Sequence, residues 1–99
     1  MDIAECISRI TTTLRNVDSD TSIDIHLFGS AATGQGRSVD DLDLAIVYVD
    51  EEALALVLDA LHDVGLPYPL DCICLTQEEA THYRFLERAA PATLIYTAN

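Results

Sequence analysis

Two carboxylates one residue apart, Asp41 and Asp43, follow the pair Gly29-Ser30 after an interval of ten residues. The glycine-serine pair ends one alternating apolar run, and the two aspartates open a second. On a β-strand, residues i and i+2 share a face, so both carboxylates can bind one cation. Backbone N–H groups around Gly29-Ser30 can hold the phosphates that this cation bridges. The pattern therefore predicts metal-dependent transfer of a nucleotide.

Asp71, early in a third apolar run, is the candidate for a further acidic residue of the same site. If the second and third predicted strands are neighbours, Asp71 reaches the same cation cluster, where it binds a second metal or deprotonates the acceptor hydroxyl. Mg²⁺ prefers one or two carboxylates together with phosphate oxygens and water. This preference suits an Asp-x-Asp pair that receives a nucleoside triphosphate.

Each of these features has a simpler explanation when it is taken alone. An Asp-x-Asp pair at the end of a strand is often solvated or caps an element, and glycine-serine is often an ordinary turn. Their combination at this spacing, with an aspartate in the next strand, favours the nucleotide site. His26 shares a strand face with Asp24 and could contact a base or an acceptor, although a packed or sheet-surface histidine is the simpler interpretation.

Hydrophobic periodicity and capping signals predict helices and strands in alternation along the whole chain. The predicted helices cover 3–16, 51–64 and a segment from the Thr76 cap to about 88, and the predicted strands cover 23–28, 41–49, 70–75 and 93–96. The segment between the first two strands is predicted to hold a short helical turn and then a loop. This order predicts an α/β sandwich, with helices packed against one small sheet.

Composition limits the class of protein. Ninety-nine residues predict a single domain over 1–99. Seventeen acidic residues against five arginines give a net charge of -12, which argues against an extended nucleic-acid interface. No apolar run reaches the length of a membrane span, so a cytoplasmic protein is expected. Three cysteines without a C-x-x-C pair predict reduced, partly buried thiols.

The segment LFGSAATGQGRSVDDLDLAIV, residues 27–47, resembles the signature of the DNA-polymerase-β-like nucleotidyltransferases, and more narrowly that of their minimal, MNT-type members. The resemblance extends over the chain, because 92–96 is similar to the closing strand of such domains. It implies a small mixed sheet flanked by helices (an α+β fold) and transfer of a nucleoside monophosphate to an acceptor. By motif position, Gly29 and Ser30 contact the β- and γ-phosphates, and Asp41, Asp43 and Asp71 are the catalytic, Mg²⁺-binding carboxylates.

Many minimal members resemble antitoxins encoded beside a HEPN-domain RNase toxin, and some of them adenylylate a tyrosine of the toxin. The resemblance therefore implies ATP as the AMP donor, one or two Mg²⁺ ions, and a HEPN-domain toxin or another acceptor-binding protein as partner, in a homo- or hetero-oligomer. Two alternatives stay open. The chain could be a catalytically idle module that neutralises its partner by contact, or a nucleotidyltransferase subunit for a small-molecule acceptor.

The chain departs from the family pattern at two places in the segment after the glycine-serine pair. Ala31 and Thr33 stand where arginine is common, which leaves Arg37 as the only cation of the loop and the candidate side-chain contact to phosphate; a solvated loop arginine is the alternative. Asp40 replaces a common serine and adds negative charge beside the phosphate site. Neither departure removes a predicted metal ligand.

Overall fold

The arrangement of helices and strands follows the predicted order. The computed structural model describes residues 3–17, 22–29, 42–66, 68–84 and 92–98. The elements in chain order are α1 (Ile3–Arg15), β1 (Ile23–Phe28), β2 (Leu42–Tyr48), α2 (Glu51–Asp63), β3 (Leu70–Thr76), α3 (Gln77–Tyr83) and β4 (Thr93–Ala98). The predicted α+β architecture, a small mixed sheet flanked by helices, is confirmed.

The sheet contains both antiparallel and parallel pairs. Its four strands lie in the order β3-β2-β1-β4, so within the described ranges β3 and β4 are the outer strands. β1 pairs antiparallel with β2 and with β4, whereas β2 pairs parallel with β3. A parallel pair needs a crossover connection, and α2 supplies it.

Local capping fixes both ends of the crossover helix α2. The Asp50 side chain accepts a hydrogen bond from the backbone N–H of Glu52 at 2.9 Å, which satisfies one of the free donors of the first turn. At the other end Gly65, with a φ of +71°, adopts the left-handed conformation that glycine tolerates best. The predicted start and stop of this helix are therefore confirmed to within one residue.

The core lies on one face of the sheet, against α1 and α2. Alternate residues of β1 and β2 point into it, because successive side chains of a strand point to opposite faces. The buried core cluster consists of Cys6, Ile10 and Leu14 of α1, Ile23, Ile25 and Leu27 of β1, Leu42, Leu44 and Ile46 of β2, and Val57 and Leu61 of α2. The opposite face, which carries Asp24, His26, Asp43 and Asp71, is called the outer face below.

The helix α3 begins where it was predicted and ends earlier. Thr76 and Glu79 form a reciprocal capping box, with both hydrogen bonds at 3.0 Å. The predicted continuation to about residue 88 is wrong, because α3 ends at Tyr83. Arg84 has a φ of 50° in the left-handed region, and its backbone N–H bonds to carbonyl oxygens one turn earlier. Residues 85–91 lie outside the described residues.

Two further predictions concern membranes and thiols. Among the described helices, none has the length and apolar character required to cross a bilayer. Cys6, Cys72 and Cys74 are free thiols; Cys6 is buried and Cys72 half-buried, in line with the predicted burial, whereas Cys74 is exposed.

Candidate functional site

Two of the predicted carboxylates lie side by side at the beginning of β2 and β3. Asp43 and Asp71 are register partners in the parallel pair, so their side chains leave the same face of the sheet. Neighbouring strands lie about 4.8 Å apart, which places both carboxylates within reach of one ion. Asp43 is half-buried and Asp71 is exposed to solvent. The expectation that the second and third strands are neighbours is confirmed.

The turn after β1 lies against one of these carboxylates. Gly29 directly follows Phe28, the register partner of Asp43 on β1, and has a φ of +73°. A Cβ atom added at Gly29 would lie 3.2 Å from the carboxyl carbon of Asp43 and closer still to its Oδ2 atom. Only glycine combines this backbone conformation with so close an approach. The backbone of the turn and the carboxylate therefore form one compact corner of the sheet.

The chemistry of this corner fits a hard divalent cation. Carboxylate oxygens are ligands that Mg²⁺ prefers, and Mg²⁺ commonly takes one or two of them while water and phosphate oxygens complete its shell. Within the ranges that the structure describes, no group of three histidine, cysteine, aspartate or glutamate side chains could hold a metal. Asp41, Ser30 and Arg37, which the sequence assigns to the same site, lie outside those ranges. The described part of the site thus consists of Gly29, Asp43 and Asp71.

His26 continues the outer face next to this corner. It pairs with Ala45, two residues beyond Asp43 on β2, so His26 and Asp43 are diagonal neighbours on one face. Burial lowers the pKa of the His26 imidazole, and the negative charge of Asp24 opposes this effect only in part. The imidazole is therefore uncharged at neutral pH.

The protonation state of the His26 imidazole can be measured directly. In an NMR pH titration, the imidazole protons of His26 should report a pKa below the usual value of about 6.5 because burial disfavours the charged form. Asp24→Asn should lower this pKa further, since it removes the charge that opposes the shift. A pKa at or above the usual value, or a rise on Asp24→Asn, would contradict this account of the outer face.

The cysteine beside Asp71 belongs to the core side of β3. Burial, with the neighbouring Cys74 and Asp71 as smaller causes, raises the pKa of the Cys72 thiol to about 11. At neutral pH such a thiol is protonated, and thiolate is the form that acts as nucleophile or metal ligand. Cys72 therefore packs as a small apolar side chain, and among the described residues at the start of β3 the Asp71 carboxylate carries the polar chemistry.

The outer face also bears a groove that the sequence did not predict. The helix α3 lies over the end of the outer face away from Gly29, where side chains of β1, β2 and α3 border a cavity of about 540 Å³. His26 was singled out from the sequence, whereas Thr81 and Arg84 were not. Their position depends on how α3 packs on the sheet, and no local pattern in the sequence reports that packing.

Comparisons with known proteins identify the family. A family model for the nucleotidyltransferase domain matches residues 7–92. Among solved structures, the chain is similar to the 1.40 Å crystal structure of a "putative nucleotidyltransferase" from Sulfolobus solfataricus, with a TM-score of 0.58 and 16% identity over 92% of this chain and 79% of that chain. This identity shows a shared fold alone. The comparison with curated proteins found no significant match. Since the family model spans most of its length, the chain belongs to the nucleotidyltransferase domain family.

Proposed function

We propose that the chain transfers AMP from ATP to a protein acceptor in a Mg²⁺-dependent reaction, with Asp41, Asp43 and Asp71 as the catalytic carboxylates. The observation that carries the proposal is the pairing of Asp43 with Asp71, in register, beside the turn at Gly29. Family membership supports nucleotide transfer in general. The metal, the nucleotide and the acceptor are inferred from the chemistry of these residues and from the family resemblance.

The residues of the proposed site divide phosphate binding, metal binding and proton transfer among them. Gly29 and Ser30 offer backbone N–H groups to the β- and γ-phosphates, and Arg37 adds a guanidinium contact to phosphate. Asp41, Asp43 and Asp71 are the ligands for Mg²⁺, which when bound neutralises phosphate charge and stabilises the developing charge of the leaving oxygen. Because Asp71 is exposed and lies on the strand that is outermost within the described ranges, it is also the carboxylate proposed to meet an incoming acceptor.

The bonds, electrons and proton of the proposed transfer step are all accounted for by the two substrates and these side chains. The acceptor hydroxyl oxygen forms a bond to the α-phosphorus, while the bond from that phosphorus to the α–β bridging oxygen breaks. The electron pair of the broken bond leaves with pyrophosphate, and the hydroxyl proton passes to the Asp71 carboxylate. The products are the AMP ester of the acceptor and pyrophosphate.

The family resemblance favours a HEPN-domain toxin as the acceptor, which would make the chain the antitoxin of the pair. The net charge of -12 fits a protein acceptor better than a nucleic acid, because phosphate backbones are bound chiefly through lysine and arginine. The two aspartates in register favour an active enzyme over an idle module. Ala31 and Thr33, in place of the common loop arginines, are the observation that favours the idle module.

Transfer of label to the partner separates these functions. The chain is incubated with Mg²⁺, the product of the adjacent gene, and ATP labelled at either the α- or the γ-phosphate. Label on the partner from α-labelled ATP only is the expected result, because AMP is transferred and pyrophosphate leaves. A stable complex that never acquires label would overturn the enzymatic proposal in favour of neutralisation by contact. Label on a small molecule instead of the partner would overturn the protein acceptor.

A further inference from the structure

β3 is an outer strand without the features that usually protect the edge of a sheet. Among the described strands it pairs with β2 alone, and this register runs unbroken from Leu70 to Thr76. An outer strand offers backbone N–H and C=O groups to a further strand, and proteins commonly block such edges with lysine, proline or a β-bulge. None of the three occurs within β3, whose one charged side chain is Asp71.

The other outer strand of the described sheet, β4, is protected by a bulge. Its pairing with β1 shifts in register between Ile25 and His26, where β4 has one extra residue. A bulge bends the strand and increases its twist, which disfavours pairing with a further strand. Of these two outer strands, β3 is therefore the one that can accept another strand along its whole length.

Apolar side chains on both faces of β3 remain accessible. On the core side, Cys72 is half-buried and Cys74 is exposed, whereas Leu44 and Ile46, their register partners on β2, are fully buried. On the outer face, Ile73 keeps 36% of its surface exposed. The helices thus cover β2 more completely than β3. A strand added beside β3 would bury apolar surface on both faces, which favours association.

We propose that β3 is a dimer interface, at which β3 of a second copy of the chain adds antiparallel to form one continuous sheet. Full overlap of the two seven-residue strands places Ile73 opposite itself on the twofold axis. The same register places Cys72 opposite Cys74 of the second copy and Asp71 opposite its Leu75. Identical strands can pair in this way because an antiparallel ladder is symmetric about a twofold axis, the symmetry of most homodimers.

The charges on β3 are compatible with pairing of identical strands. Like charges directly opposite each other destabilise a strand pair. Asp71 and its counterpart stand four residues apart in this register, or about 13 Å along the strands at about 3.3 Å per residue. This separation exceeds the screening length of about 8 Å at physiological ionic strength, so the two carboxylates scarcely repel each other. All the other residues that meet across the interface are uncharged.

The net charge of -12 on each copy gives the dimer a characteristic salt dependence. Salt screens the repulsion between two acidic copies, so association should tighten as the ionic strength rises. A basic partner protein would show the opposite dependence. One pair of short strands buries less surface than a standard interface of about 1,600 Å². We therefore expect a dissociation constant in the micromolar range.

The proposed dimer leaves the outer face of the sheet open, because the second copy extends the sheet sideways. Residues directly opposite each other in a strand pair share a face, so Leu75 of the second copy lies beside Asp71 on the outer face. Each copy thus borders the candidate site of the other. The interface itself does not depend on the proposed nucleotide transfer.

Sedimentation equilibrium of the whole chain at low and high salt tests the interface. We expect a dimer fraction that rises with protein concentration and with salt. Ile73→Lys should weaken the dimer about tenfold or more, because it places two ammonium groups opposite each other on the axis. Leu94→Lys makes the same change at an exposed aliphatic residue of β4, and it should dimerise as the unsubstituted chain does. Both variants change the net charge equally, and melting temperatures show whether each one folds.

Cysteine cross-linking tests the register without a change in charge. Mild oxidation with copper phenanthroline should link Cys72 of one copy to Cys74 of the other. Cys72→Ser alone and Cys74→Ser alone should not cross-link, since identical cysteines stand two residues out of register, beyond the Cα separation of about 7 Å that a disulfide spans. A mixture of the two variants should regain the cross-link. Cys6 is buried and takes no part.

Several results would overturn the interface. These are a monomer at every salt concentration, a dimer that weakens with salt, and equal dimerisation of Ile73→Lys and Leu94→Lys. A cross-link in either serine variant alone, or none in their mixture, would refute the register. A chain that stays monomeric until the product of the adjacent gene is added would assign β3 to that protein instead. Because no nucleotide is used, failure of label transfer would count against the enzymatic function alone.

Discussion

Replacing Asp43 by asparagine should lower the rate of AMP transfer by about a thousandfold, the scale of losing a group that stabilises transition-state charge. The substitution keeps the size of the side chain but removes one of the two carboxylates that face each other across β2 and β3. A neutral amide oxygen is a weaker ligand for Mg²⁺ than a carboxylate. The measurement is the initial rate of label transfer from α-labelled ATP at saturating Mg²⁺.

The matched control for this prediction is Asp59→Asn, which makes the same chemical change at an exposed position of α2. It should retain the full rate, because α2 packs on the core side of the sheet. A metal chelator should abolish transfer in the unsubstituted chain, and added Mg²⁺ should restore it. If Asp43→Asn transferred AMP at the normal rate, the assignment of this carboxylate to the reaction would be wrong.

Gly29→Ala should impair transfer at least tenfold while lowering the free energy of unfolding by about 1–2 kcal/mol, the cost of a left-handed non-glycine residue. The added methyl group would meet Oδ2 of Asp43, the flexible end of a side chain, so the carboxylate can move aside. This movement limits the loss of stability. It also displaces the carboxylate from its place beside Asp71, and displacement by about 1 Å can cost a hundredfold in rate.

Gly65→Ala is the control that separates these two effects. Gly65 has nearly the same φ, +71° against +73°, but an added Cβ would find no atom within 4 Å. Both variants should therefore lose a similar amount of stability in urea unfolding, whereas only Gly29→Ala should lose transfer activity. Equal activity of the two variants would show that the contact between Gly29 and Asp43 has no role in the reaction.

The helices and strands that position the carboxylates could be predicted from the sequence. Their hydrophobic periodicity and capping residues favour the same structure as the packing of the whole fold does. β1 alternates apolar and polar residues over its whole length, and the predicted bounds, 23–28, are those observed. Asp50 and Gly65 mark the ends of α2 through side-chain capping and a left-handed glycine, both of which are local effects. Since α2 is the crossover between parallel strands, the pairing of β2 with β3 follows from the same signals.

The early end of α3 was not predicted, because no local sequence signal marks Arg84 as the residue where the chain leaves the helix. Nothing in the composition around Arg84 favours a left-handed residue, and the predicted helix accordingly continued to about 88. The chain leaves the helix at Arg84, which places this side chain at the groove. Weak helix propensity is commonly overridden by tertiary packing. Local sequence patterns therefore did not predict the groove, although they correctly placed Asp24 and His26 on one face of the first strand.

Because β3 lies at the margin of the described sheet, the proposed site can come apart locally while the core stays packed. Among the strands that the structure describes, β3, which carries Asp71, is bonded to β2 alone, whereas Asp43 lies on the interior strand β2. Marginal strands open locally at a smaller free-energy cost than the whole fold. Fraying of β3 would part the two carboxylates while α1, α2 and the remaining strands stay packed. In the proposed enzyme, catalytic competence would thus disappear and return through a sub-global fluctuation, and a contact that holds β3 in place from outside would favour the active arrangement.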